Sequence, residues 1–479
     1  MKKLLLVFFA VILLVSCKKN ISILNEEYKR PLTAIPSMLF ANAQKELADA
    51  VATPDINLSV FRLIAQHWTQ TTYFDESKYN FDRRQVAEGW WGLLYRDVLR
   101  DLDETKRLTT AQDTVLVNPK IQKNQLALAE ILEVYTYAIL VNTFGNIPYT
   151  EALNINILNP KYDDAKTIYY DLLARLDKAL SNLDPAEESF GASDLLFGGN
   201  IASWEKFGNS LKLKLGMILA DSDPTKAQQI VDQAAPNVIQ SNAENAAFHY
   251  LATPPNTNPT YDYLITNGRR GDYVPSKTII DTMLLFQDAR ISKYFRKAPN
   301  GTYSGGVVGK ANTYSDLSKL TAIILQPTFE ALLMDYSEVE FLLSEAKARG
   351  WAPGVVGTAR DHYNKAIEAS ILYWGGTVTD YTNYIAQPSV GGTITALNYK
   401  QKIGTQKWIA LYNRGFDAWT EIRRLDYPKL PDPLDKVSDF PVRLRYPTQE
   451  QTLNGANYSQ AAAAIGGDRL TTKLFWDKN

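Results

Sequence analysis

Cysteine is almost absent: the 479 residues contain one, Cys17. No disulfide can form within the chain, so a fold of this length must be held by its packed core. Histidine is scarce as well. His67, His249 and His362 stand far apart and in no H-E-x-x-H or other ligand spacing, which argues against a zinc site. Asp101-x-Asp103 begins like a calcium loop but lacks the turn glycine and the closing glutamate. With no second cysteine and no G-x-S-x-G, the usual nucleophile signatures are missing. Ser304-Gly305-Gly306-Val307-Val308-Gly309-Lys310-Ala311 comes nearest to a phosphate loop. It fails because Ser304 stands where the first glycine is needed and Ala311 where a metal-binding hydroxyl is needed. That stretch reads as a flexible loop. Neither a metal nor another cofactor is expected. Charge of one sign is lacking too: 51 basic and 52 acidic residues give a formal net charge of −1, leaving no electrostatic footprint for nucleic acid. The acidic residues supply many carboxylate pairs, so spacing alone leaves glycoside hydrolysis open.

One hydrophobic run stands out. Met1-Lys2-Lys3 precedes an apolar stretch from Leu4 to Val15, followed by Ser16-Cys17. A positive n-region and a dozen apolar residues describe a secretory signal, and the run is too short for the roughly 20 residues of a membrane span. Leu14-Val15-Ser16-Cys17 resembles a bacterial lipobox. The sequence therefore predicts a signal peptide over 1–16, cleavage before Cys17, lipid on that cysteine, and a polar tether over 17–31. No other stretch reads as a membrane span.

From residue 32 to 479 the predicted class is all-α. Amphipathic periodicity places helices near 37–51, 56–70, 86–108, 121–143, 164–182, 201–220, 224–240, 328–350, 357–374 and 404–425. Two stretches look like tetratricopeptide helix pairs: Ala359, Tyr363 and Ala366 after Phe341–Gly350, and Ala165, Tyr169 and Leu172 after 121–143. Gly, Pro, Asn, Thr and Tyr gather at 245–325, 375–400 and beyond 428, predicting long loops, and loops of that length are usually functional.

Several segments, in order, carry a resemblance. They are Trp90-Trp91-Gly92-Leu93-Leu94-Tyr95, Asn142-Thr143-Phe144-Gly145-Asn146-Ile147-Pro148-Tyr149, and Gln287-Asp288-Ala289-Arg290. Then come Tyr336-Ser337-Glu338-Val339-Glu340-Phe341-Leu342-Leu343-Ser344-Glu345-Ala346, Gly415-Phe416-Asp417-Ala418-Trp419 with Arg423-Arg424, and Lys473-Leu474-Phe475-Trp476-Asp477. From about residue 55 onward the chain resembles the SusD-like family of outer-membrane lipoproteins. The resemblance implies tetratricopeptide-like helix pairs supporting a loop-rich ligand-binding face. It also implies a TonB-dependent outer-membrane transporter as partner, and an oligosaccharide or peptide as ligand. It implies capture without catalysis at the cell surface. Two departures stand out: Ala289 replaces a frequent proline, and Lys18-Lys19-Asn20 follow the cysteine where surface-destined relatives often carry acidic residues.

The chain has 27 Tyr, 18 Phe and 9 Trp, and aromatic rings in polar loops suit the C–H faces of sugars. By region and residue type, the candidate ligand contacts are Trp68, Tyr73, Phe74, Tyr79, Arg269 and Tyr273. Trp90, Trp91 and Trp419 are expected in the core. Competing readings are a scaffold lipoprotein that binds another protein through its helix pairs, a peptide-binding member of the family, and a glycan hydrolase.

Overall fold

The computed structural model describes residues 34–115 and 117–478. The predicted signal peptide, Cys17 and the tether lie outside the described residues. Helix α1 (Pro36–Ala52) opens the fold, and a helical run Val86–Gly92, Leu93–Leu99 and Arg100–Thr110 packs across it. The middle stretch of that run is a π-helix, a widening often found beside functional surfaces.

Four helix pairs follow. The first joins α2 (Pro119–Phe144) to α3 (Ala165–Asn182), and the second joins α4 (Ile201–Ile218) to α5 (Pro224–Ala234). The third joins α6 (Tyr336–Ala348) to α7 (Ala359–Tyr373), and the fourth joins α8 (Tyr399–Ala410) to α9 (Gly415–Leu425). Local chemistry sets their ends. The Asn118 side chain accepts the Lys120 N–H ahead of Pro119, Asp164 accepts from Thr167, and Thr358 with Asp361 forms a capping box. Both tetratricopeptide spacings fall on second helices of pairs, with Tyr363 edge-on to Phe341 at 6.1 Å between centroids. Helix α2 is long and apolar enough to cross a membrane, which sequence reading does not single out, yet most of its apolar stretch is buried inside the fold.

Two predicted helices are shortened by pairing across the chain. In 56–70 only Phe61–Ile64 is α-helical. There Arg62 is buried and donates to the carbonyls of Ala52 and Thr53, and Trp68–Gln70 leaves as a strand. In 328–350 the first residues form a strand, Ala331–Met334, paired antiparallel with Ala246–Phe248. The predicted helix 404–425 is two helices, because Arg414 departs from helical backbone (φ −113°, ψ 66°).

Arg414 belongs to a buried ionic spine joining α4, α6, α8 and α9. Glu338 on α6 meets Arg414 at 2.6 Å and Lys214 of α4 at 3.0 Å. Arg414 also pairs with Asp417 at 2.7 Å and Asp335 at 3.5 Å. One turn on, Lys407 meets Glu421 at 3.2 Å, and Arg424 spans Glu421 and Glu345, both at 2.6 Å. Glu338 and Glu345 are seven apart, as are Asp417 and Arg424, so each set falls on one face of its helix. Burial opposes ionisation of Glu338, but Arg414, Lys214 and Lys407 outweigh it and hold its carboxyl well below the usual range.

His67 is buried beside this core and donates Nε2–H to the Trp408 carbonyl at 3.0 Å. Burial pushes its pKa down to about 3, against about 6.5 for an unfolded histidine. Between those values the unfolded chain binds a proton that the native chain refuses, so stability falls as pH falls through the window. The slope is about 1.4 kcal/mol per pH unit, or about 2 kcal/mol lost through His67 between pH 7 and pH 5. His67→Gln should flatten the pH dependence of urea unfolding by that amount. An unchanged slope would mean that His67 does not titrate with unfolding.

Candidate functional site

The loop-rich face is built on a short ladder. Strand β1 (Trp68–Gln70) pairs antiparallel with β2 (Tyr273–Pro275), with Thr69 opposite Val274. The glycine-rich stretch docks against β2 instead of swinging free. Gly306 N–H donates to the Pro275 carbonyl at 2.8 Å, and the Gly306 carbonyl accepts from Lys277 at 2.7 Å. A Cβ on Gly306 would sit 2.8 Å from both the Thr69 and the Val274 side chains, so glycine is required by close approach. The expectation of a flexible loop is therefore corrected: these glycines let backbones meet.

Four connections converge at the end of β1. Thr71 N–H donates to the Asp272 carbonyl at 3.0 Å, and Asn312 N–H donates to the Thr71 carbonyl at 3.0 Å. Leu434 N–H donates to Val308 and Val437 N–H to Lys78, both at 2.9 Å. Segments 71–84, 266–272, 301–318 and 429–439 thus form one surface on a rigid base.

The structure divides the six predicted contacts. Trp68, Tyr79 and Tyr273 are 1%, 2% and 3% exposed, so their ring faces are already covered by protein. Their polar handles are spent internally as well. Trp68 Nε1–H donates to the Tyr412 hydroxyl at 3.2 Å, the Tyr79 hydroxyl accepts from Gln66 at 3.0 Å, and the Tyr273 hydroxyl donates to the Pro54 carbonyl at 2.9 Å. Burial pushes the Tyr79 phenol up to about 12. These three are core residues beneath the face, a correction to the expectation from sequence. The β1–β2 ladder holds Trp68 and Tyr273 inward, and Tyr79, outside that ladder, packs edge-on to Phe440 at 6.0 Å between centroids.

Tyr73, Phe74 and Arg269 remain at the surface. Tyr73 is 79% exposed, and its positive φ of 51° holds it at a sharp bend. Phe74 is half-buried with the Lys78 ammonium 4.8 Å from its ring centre. Arg269 is exposed, lies 5.3 Å from the Tyr263 ring centre and pairs with Asp272 at 3.3 Å. Two further rings share these loops and are not among the predicted contacts: Tyr303, with Lys297 at 5.8 Å, and Tyr314, with Lys319 at 4.2 Å. Tyr73 and Tyr314 each stand two residues from the Thr71–Asn312 contact. Both additional tyrosines sit in Gly/Ser/Thr-rich sequence, which was the available signal. Half-exposed rings with ammonium donors beside them can cover a C–H face and donate to hydroxyls. Among the described residues, no cluster of His, Cys, Asp or Glu could hold a metal.

A family model for starch-binding proteins associating with the outer membrane matches residues 28–447. This chain belongs to the SusD-like family. Among solved structures, a chitin-binding SusD homologue from Flavobacterium johnsoniae is 25% identical with a TM-score of 0.79, covering 92% of this chain and 99% of its own. A chitin-binding protein is 26% identical with a TM-score of 0.80, over 93% and 100% of the two chains. A SusD homologue from Bacteroides uniformis is 25% identical with a TM-score of 0.79, over 92% and 99%. No curated protein sequence gives a significant match. The family match begins upstream of residue 55, where the resemblance read from the sequence begins. SusD-like proteins are binding proteins of the outer membrane, and their helical fold is the one described here.

Within this SusD-like fold the quoted segments have a physical reason. Glu338 and Glu345 on α6 face Asp417 and Arg424 on α9 through the buried spine, so those two segments are complementary halves. Trp90 and Trp419 are fully buried as expected. Trp91 is half-buried instead, and with Tyr95 it lines an open hollow of about 350 Å³.

Proposed function

We propose that this SusD-like protein captures a glycan on its loop face and delivers it to a TonB-dependent outer-membrane transporter. Lipid on Cys17 would hold it at the cell surface. The observation that carries the glycan reading is the convergence of four loops, two of which bear the rings of Tyr73, Phe74, Tyr303 and Tyr314, three of these rings with an ammonium group close by. Arg269 extends the donor set. Two relatives described as chitin-binding support a β-linked amino-sugar polymer as the first ligand to test.

Titration of the purified protein with chitin oligosaccharides, other glycans and peptides, together with recovery of the native complex in mild detergent, tests this reading. The expected result is saturable glycan binding without turnover, and co-purification with the transporter through a face burying more than about 2,000 Å². Binding of peptides alone would move the ligand class. Recovery of a transporter complex with no ligand binding would make the protein a scaffold. Turnover that stops when one carboxylate is neutralised would make it an enzyme.

A further inference from the structure

The glycine-rich segment that docks on β2 carries positive charge that nothing in the protein answers. Residues 296–319 hold four cations, Arg296, Lys297, Lys310 and Lys319, against one carboxylate, Asp316, in a chain whose formal net charge is −1. Asp316 accepts from the neighbouring Ser315 hydroxyl at 2.7 Å. Among the described residues, no carboxylate lies within ion-pair distance of any of the four cations. Lys78 and Arg270, on the adjoining segments of the loop face, are without one as well.

Two of these cations are placed side by side. Phe295–Arg296 pairs antiparallel with Lys319–Leu320, and the register sets Arg296 directly opposite Lys319. Residues so opposed share one face with Cβ atoms about 4.5–5.5 Å apart, and like charges there destabilise the pair. Lys319 is also held in position. Its ammonium donates to the Tyr314 and Leu317 carbonyls and lies 4.2 Å from the Tyr314 ring centre. Those two bonds leave a third N–H and the full charge. Burial first, and the Arg296 guanidinium second, pull this ammonium below the ordinary lysine range. An anion between the two side chains would turn their repulsion into a clamp. The rings beside them are half-buried, and among the described residues neither the Tyr303 nor the Tyr314 hydroxyl has a partner, in contrast to Tyr79 and Tyr273.

We infer that the glycan taken by the loop face is acidic: a sugar ring bearing a carboxylate or a sulfate, with its anion between Arg296 and Lys319 and its ring beside Tyr314. The inference rests on the glycan reading of this face and adds the charge. A neutral sugar satisfies the rings and hydroxyls but leaves the two cations facing each other, and a free inorganic anion engages the cations without the rings.

Calorimetric titration with three probes tests this: a galacturonic acid trisaccharide, a sulfated galactan oligosaccharide of similar length, and the neutral N-acetylglucosamine trisaccharide. At low salt at least one acidic sugar should bind roughly tenfold or more tighter than the neutral one, and most of that advantage should vanish in about 0.5 M NaCl. Whichever acidic sugar binds identifies the anion. Arg296→Gln should lower the acidic sugar's affinity roughly tenfold and leave the neutral sugar unchanged, about the range for a hydrogen bond to a charged group. Its melting temperature should equal or exceed that of the wild type, because the change removes a like-charged neighbour of Lys319. Arg296→Lys, which keeps the charge, should retain most of the affinity. A neutral sugar binding as tightly as both acidic ones, or unchanged acidic-sugar affinity in Arg296→Gln, would overturn the inference and leave glycan capture standing. Absence of binding by every glycan, neutral and acidic, overturns the glycan reading itself, so the two failures are distinguishable.

Discussion

Glu338→Ala is expected to lower the unfolding free energy by about 3–5 kcal/mol, measured by urea unfolding at pH 7. Its carboxylate meets Arg414 at 2.6 Å and Lys214 at 3.0 Å, with Lys407 at 3.9 Å. Removing it strands positive charge in the core, and the penalty comes from the unpaired cations more than from the missing attraction. Lys407 limits the damage. Burial already pulls its ammonium below the ordinary lysine range, so it is the group that sheds its proton when Glu338 is gone. Glu338→Gln should fall in the same direction with a smaller loss, because it keeps the packing and removes only the charge. A loss below about 1 kcal/mol for the alanine variant would mean that the spine contributes little to stability.

Trp90→Ala is expected to cost about 3–5 kcal/mol as well, through a cavity instead of a charge. The ring is fully buried, lies 5.0 Å from the Phe61 ring and 5.9 Å from Phe416, and its indole N–H donates to Thr143 at 3.2 Å. Its neighbour provides the control. Trp91 is half-buried beside the open hollow, so Trp91→Ala should cost less than half as much. Equal losses at both positions would contradict the burial described here.

The helix pairs were legible because their signals are local. Period-3.6 stripes, Asn118 and Asp164 as caps, and the Ala359-Tyr363-Ala366 spacing each sit within one or two turns. What could not be read depends on distant partners. Trp68–Gln70 continues an apolar helical pattern until residues 273–275 claim it as a strand, and Ala331–Met334 is drawn out by Ala246–Phe248 in the same way. At the break between α8 and α9, Arg414 is held by Glu338 and Asp335, far from it in sequence, which no short window contains. The candidate site shows the same limit. Residue type points to loops that meet on one face, but aromatic character does not distinguish a ring that packs inward from one that faces out. Trp68, Tyr79 and Tyr273 pack inward, while Tyr73 and Phe74 do not.

That last distinction gives the most direct test. The double variant Tyr73→Ala, Phe74→Ala should keep the wild-type melting temperature, since both rings lie at the surface of the loop face. Titrated with the glycan that the wild type binds best, it should show an affinity roughly tenfold to a hundredfold lower, at about 0.5–1.5 kcal/mol for each aromatic ring removed. Unchanged affinity in a fully folded double variant would contradict the loop-face site and put the glycan elsewhere on the molecule.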